Sequence, residues 1–130
     1  EYSTDKVLFR GALKDGYPDG VWCVFNKAGK LIGQLPYSTG KIDGVAPFFY
    51  ENGELLAQVS YKKGEISYYK EFFPDGTVRA EIGFRKGVRH GEAKFYYGTG
   101  HLWCEGRYKK GLHAGKWRYY KVTGETIYDL

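Results

Sequence analysis

Glycine recurs in this chain at a fixed interval, and that interval limits what the chain can fold into. One row is Gly16, Gly40, Gly64, Gly87 and Gly111, spaced by 24, 24, 23 and 24 residues. A second row is Gly29, Gly53, Gly76, Gly100 and Gly124, and a third is Gly20, Gly44, Gly91 and Gly115, with Ser67 standing in for the missing member. Self-similarity at such a period marks an array of stacked supersecondary units. Each unit reads turn, strand, turn, strand. In the fourth, Arg85 to Gly91 reads as a turn, Glu92 to Tyr97 as a strand, Gly98-Thr99-Gly100 as a hairpin tip and His101 to Tyr108 as the return. The other tips are Lys27-Ala28-Gly29, Glu51-Asn52-Gly53, Pro74-Asp75-Gly76 and Val122-Thr123-Gly124. Asn-Gly and Asp-Gly suit such loops because they tolerate left-handed backbone. The third unit is one residue short, at Gly64-Glu65-Ile66-Ser67, and a kink or altered loop is expected there.

The returning strands alternate with period two. Leu31, Gly33, Leu35 and Tyr37 share one face, followed by Leu55, Ala57, Val59 and Tyr61, then Val78, Ala80, Ile82 and Phe84, then Leu102, Cys104, Gly106 and Tyr108. Val7, Phe9, Gly11 and Leu13 fit as half a repeat. The outgoing strands add Trp22 and Val24, Ala46 and Phe48, Tyr69 and Glu71, Ala93 and Phe95, and Trp117 and Tyr119. Glu71 breaks the row, in the same unit that is a residue short. The pattern predicts an all-β fold: a single-layer antiparallel meander of about five β-hairpin repeats, elongated and twisted, with about eleven strands over roughly 50 Å. It is read as one domain, 1–130, with a half repeat at 5–13 and repeats at about 14–36, 37–60, 61–83, 84–107 and 108–130.

Composition supports this. Of 130 residues, 18% are aromatic and 19 are glycine, which suits short strands joined by tight turns. No apolar run approaches the ~18–20 residues of a membrane-spanning helix. The formal charge of +5 favours acidic partners: an acidic protein, anionic lipid or nucleic acid. Aromatic and basic residues fit single-stranded nucleic acid only loosely, because acids are mixed among them. Open edge strands leave self-association possible. Cys23 and Cys104 lie three repeats apart, too far for a disulfide, and read as small, at least half-buried thiols. The chain starts at Glu1 and holds no Met, so a removed start is expected, and cytoplasmic and extracytoplasmic locations both stay open.

The second face is not wholly polar. Phe25, Phe49, Phe72, Tyr96 and Tyr120 recur on the outgoing strands, and Ile32, Leu56, Arg79, Trp103 and Ile127 on the returning ones, as one stripe near the hairpin tips. Such a stripe is either a second small core under a curled sheet or an exposed interface. Lys94, Arg107 and Arg118 fall on the same face and would steer an acidic partner. The candidate partner-binding residues are therefore Phe49, Phe72, Arg79, Lys94, Tyr96, Trp103, Arg107, Arg118 and Tyr120. No catalytic constellation is legible. His90 and His113 fall in inter-repeat turns and His101 at a tip, without metal-pair spacing. Asp15 to Gly20 reads as two Asp-Gly turns rather than a calcium loop. A lone Glu71 on the apolar face is weak evidence for catalysis, so no enzyme activity, metal or cofactor is expected.

The segment Tyr108 to Gly124, with its Tyr-x-x-Gly-x-x-x-Gly-x-Trp-x-x-Tyr-x-x-x-Gly pattern, resembles the MORN repeat. Phe-Phe-Tyr-Glu-Asn-Gly-Glu-Leu (48–55) and Gly-Glu-Ala-Lys-Phe-Tyr-Tyr (91–97) are similar to the variant found in bacterial YwqK-type antitoxin components. The resemblance covers nearly the whole chain. It implies a twisted hairpin array without a catalytic motif, and toxin neutralisation, scaffolding or lipid contact as roles; with the basic charge, the toxin partner it implies is an acidic toxin domain.

Overall fold

The computed structural model describes residues 2–3 and 7–129, with side chains described for 7–127. The first residues of the expected half repeat and the last of the fifth repeat lie outside the described residues. The chain is all β. Its strands are β1 (Tyr2–Ser3), β2 (Val7–Lys14), β3 (Tyr17–Asn26), β4 (Leu31–Ser38), β5 (Lys41–Ile42), β6 (Gly44–Phe49), β7 (Leu55–Lys62), β8 (Glu65–Phe72), β9 (Val78–Arg85), β10 (Val88–Tyr96), β11 (Leu102–Lys109), β12 (Leu112–Tyr120) and β13 (Thr126–Asp129). They form one antiparallel sheet in which each strand lies beside its sequence neighbours, with the short β5 pairing β4 off the main path. The predicted single-layer meander is what the chain adopts; the two-residue strands β1 and β5 take the count past eleven.

Two kinds of turn alternate along the sheet. On one side, Asp15-Gly16, Thr39-Gly40, Lys63-Gly64, Lys86-Gly87 and Lys110-Gly111 all have positive φ at both residues. That is the geometry of two-residue type I′ hairpins, whose twist matches that of the strands. On the other side are three-residue tips closed by a left-handed glycine. At one of them the Tyr50 N–H donates to the Glu54 carbonyl, and the Gly53 N–H donates back to the Tyr50 carbonyl.

The third glycine row is not in turns. Gly91 and Gly115 lie inside β10 and β12 with φ of 84° and 65°, at register shifts where the outgoing strand carries two residues more than its partner. Gly20 does the same in β3. The segment read as a turn from Arg85 to Gly91 is therefore a tight Lys86-Gly87 turn followed by a bulged strand. A bulge absorbs extra residues without ending the ladder. The third unit keeps its type I′ turn as well. Its missing residue comes out of the bulge, where Ser67 alone is unpaired between Ile66 and Tyr68 and its hydroxyl donates to the Ser60 carbonyl.

The apolar face is as the alternation predicts. Trp22, Val24, Leu35, Ala46, Ala57, Val59, Ala80, Ile82, Ala93, Cys104, Tyr108 and Trp117 are the buried apolar side chains among the described residues, and all lie on that face. A single layer has no second sheet to pack on, so the core is built from cross-strand contacts, and several of these set a large side chain against a small one. Gly11 lies under Trp22 and Gly106 under Trp117, so close that an added Cβ would come within 2.4 and 2.2 Å of the rings. Each indole N–H donates to the next carbonyl of the glycine strand, Ala12 at 2.9 Å and Arg107 at 3.2 Å. In the equivalent position of the fourth repeat Ile82 faces Ala93. Large against small recurs with the sizes exchanged, which fills the face without overlap.

Candidate functional site

The second face carries a shallow groove of about 300 Å3 near the C-terminal end, between β10, β11 and β12. Lys94, Arg107, Lys116 and Arg118 line it with Glu92 and Glu105, and Ala93 and Gly106 form its floor. Period-two alternation puts these charges on one side of the sheet, and the pairings Lys94 with Glu105 and Glu105 with Arg118 set them side by side across three strands. Arg107 reaches Glu92 at 3.6 Å across the exposed rim. Four cations against two carboxylates leave the groove net positive. Three of its cations are ones singled out from sequence; Lys116 was missed, although its place two residues before Arg118 puts it on the same face.

The aromatic residues of this face are held by carboxylates rather than left as loose anchors. The Tyr68 and Tyr96 hydroxyls both donate to Glu81, at 2.5 and 2.8 Å, and Tyr120 donates to Glu105 at 2.5 Å. Tyr96 and Tyr120 each lie 15 residues after their acceptor. In the earlier repeats the same rows read Phe49 after Gln34 and Phe72 after Gln58. Phenols thus occur where a carboxylate can accept, and phenyl rings where an amide stands. The hydrogen bond from Tyr68, with that from Tyr96, holds Glu81 below the usual carboxylate range. Burial, and then the bond to Glu81, push Tyr96 up to about 12. Phe72 lies under the Lys70 ammonium at 5.6 Å.

The stripe expected on this face is divided in the structure. Ile32, Leu56, Arg79, Trp103 and Ile127 are each the extra residue of a one-residue bulge beside a hairpin tip: Phe95 pairs Cys104 and Tyr96 pairs Leu102, which leaves Trp103 unpaired, and the other tips repeat this. Such a bulge re-aims its side chain. Trp103 meets Phe95 at 6.2 Å on the apolar face and Tyr97 at 6.3 Å, and Ile32 packs on the Trp22 cluster. Arg79 reaches Glu71 at 3.5 Å and lies over the Phe73 ring. Arg79 and Trp103 are therefore turned toward the apolar face, where they line one hollow together with Tyr96. This also accounts for Glu71: the one charged member of its row meets the one charged member of the bulge row, and it accepts a further hydrogen bond from Tyr69 at 2.7 Å.

Two of the three histidines lie elsewhere than expected, while His101 closes its hairpin tip. His90 and His113 are in strands β10 and β12, and His113 stacks on Trp117 with ring centroids 4.1 Å apart. Among the described residues no group of three or more His, Cys, Asp or Glu is placed to hold a metal ion. Cys23 is half-buried and Cys104 buried, both as free thiols, and burial pushes the Cys104 thiol up to about 11.

The MORN repeat variant family matches residues 18–39, 42–63 and 89–110, about half of the chain. The chain belongs to the MORN repeat variant family. Each matched window runs from an outgoing strand across a tip to the next type I′ turn, so this family's unit is the hairpin and its bulges. The crystal structure of TarM shares the fold, with a TM-score of 0.54 over 79% of this chain at 15% identity. The chain spans a fifth of TarM's length. No curated protein matches it. As a MORN repeat array the chain is a binding or scaffolding module.

Proposed function

We propose that this MORN repeat chain is a non-enzymatic protein-binding module that neutralises a bacterial toxin by direct contact, as an antitoxin or immunity protein. The observation that carries the reading is the net-positive groove of Lys94, Arg107, Lys116 and Arg118 on the open face of the sheet, bordered by carboxylate-held tyrosines. Fixed aromatic rings offer contact area at little entropic cost, and the cations speed encounter with an acidic surface. The YwqK-like motifs at 48–55 and 91–97 support the antitoxin assignment within that reading.

The test is affinity capture from the source cells with the native chain and with a Lys94→Glu/Arg118→Glu variant, followed by expression of the captured protein alone and together with this chain. A partner that is toxic alone, is silenced by the native chain and is missed by the variant supports the proposal. A partner without toxicity, or one held equally by the variant, removes it. A Lys14→Glu/Lys27→Glu variant serves as the charge-matched control, because both lysines are exposed in the first repeat, at the other end of the sheet. A second reading, a peripheral lipid-binding or scaffolding protein, is favoured by the lysine pairs in the type I′ turns.

A further inference from the structure

The type I′ turns form one long rim of the sheet, and their charge changes along it. The first two read Lys14-Asp15-Gly16 and Ser38-Thr39-Gly40. The last three read Lys62-Lys63-Gly64, Arg85-Lys86-Gly87 and Lys109-Lys110-Gly111. All six of these cations are exposed, and among the described residues none of them makes an ion pair. Two acids lie beside them: Glu65, in a hollow shared by Lys62, Lys63, Arg85 and Lys86, and Asp43, whose carboxylate accepts the Lys63 backbone N–H at 3.2 Å.

The backbone makes this choice of residue informative. Lys63, Lys86 and Lys110 have φ of 49°, 51° and 52°, where Asn, Asp or Gly fits best. The fold does not demand lysine there, since Asp15 and Thr39 hold the same conformation in the first two turns. Lysine is thus kept at three successive positions where the turn itself would favour another residue, and strain of this kind points to use of the side chain.

Geometry selects the partner. Successive type I′ turns are two strands apart, about 10 Å. Three residues of an extended polypeptide also span about 10 Å. The sheet twists by roughly 20–25° per strand, so three successive turns rotate by roughly 80–100° about its axis. A flat anionic surface would meet one or two of them, whereas a flexible chain can follow the rim. We propose that the rim from Lys62 to Lys110 binds an acidic, extended polypeptide segment with a carboxylate at about every third residue. The proposal rests on the protein-binding reading and adds a second contact surface, on the rim rather than in the second-face groove.

The test measures binding of a fluorescent peptide of repeated Glu-Ser-Gly, of a control with the same composition but its glutamates clustered at one end, and of phosphatidylcholine vesicles with and without phosphatidylserine. The native chain is compared with Lys63→Asn/Lys86→Asn/Lys110→Asn. Asparagine suits the turn, so this variant keeps its fold, and an unchanged or raised Tm verifies that. Expected are salt-sensitive binding of the spaced peptide, weaker binding of the clustered one, and a loss of about tenfold or more in the variant. No peptide binding, equal binding by the variant, equal binding of the clustered control, or lysine-dependent vesicle binding that matches the peptide's would each overturn the proposal. Because the variant leaves Lys94 and Arg118 in place, it separates failure of the rim from failure of the groove.

Discussion

Individual residues here are chosen in pairs. Trp117 has room because residue 106 has no side chain, so Gly106→Leu forces the indole out of its place. We expect a loss of at least about 2–3 kcal/mol by urea denaturation. Gly106→Leu/Trp117→Ala recreates the Ile82 and Ala93 arrangement, and should recover much of that loss; a double variant no better than the single would show that the sizes are not traded across strands. The Tyr68, Tyr96 and Glu81 triad makes stability depend on pH in two windows. Glu81 titrates below its ordinary value in the folded chain, so its contribution is present above ~4.3 and is lost as pH falls through the folded value. Tyr96 titrates above its ordinary value, so its contribution is present below ~10 and is lost as pH rises through about 12. In urea midpoints measured against pH, Glu81→Gln should flatten the acid arm and Tyr96→Phe the alkaline one.

At the scale of one hairpin, the bulges set the shape. Gly91 at φ 84° lets β10 swallow two residues and stay paired to β9 on either side. Gly91→Ala puts a Cβ into open space but into a left-handed backbone, so the cost is conformational: about 1 kcal/mol or more, seen as a lower Tm with unchanged β circular dichroism. The tips are braced across repeats by hydroxyls: Tyr50 donates to the Phe72 carbonyl at 2.8 Å, and Tyr97 to that of Tyr120 at 2.7 Å. Glycine N–H groups brace the opposite rim, Gly64 to the Ile42 carbonyl and Gly111 to that of Arg89. Where they occur, these bonds tie a hairpin to its neighbour at the tips and at the turns, which suits a repeat that is marginal alone.

Over the whole molecule, the described residues of the core gather into two clusters. One gathers Trp22, Val24, Leu35 and Ala46, and the other Ile82, Ala93, Cys104, Tyr108 and Trp117. Buried Ala57, Val59 and Ala80 join neither, and at the tip end of the third repeat Glu71 and Arg79 take places that are mostly apolar elsewhere, while Ile82 of that repeat belongs to the second cluster. A solvent-facing ion pair holds two such clusters together less firmly than apolar contact does. Hydrogen exchange should show lower protection around Glu71 and Arg79, at the tip end of β8 and β9, than at the centre of either cluster. Glu71→Leu/Arg79→Leu should raise stability by about 1–2 kcal/mol and even out the protection. A profile that is already uniform in the native chain would count against a joint in the middle.

Sequence alone determined the repeat, its hairpins, the sides on which they turn and the apolar face, because glycine φ and the alternation of Cβ are local properties of the chain. Gly16 with its row and the alternation from Leu31 to Tyr37 were enough for that. Half of the groove's character was legible too, since Lys94, Arg107 and Arg118 share a face by parity. What only the tertiary structure decided was register. Whether Trp103 and Arg79 look one way or the other depends on which residue of the neighbouring strand goes unpaired, and parity counted along one strand cannot show that. Register also decides that Glu81 receives Tyr68 and Tyr96, and that Glu71 meets Arg79. These partners are set by the bulges, which trade residues between strands and so rewrite, from outside each strand, the face its side chains take.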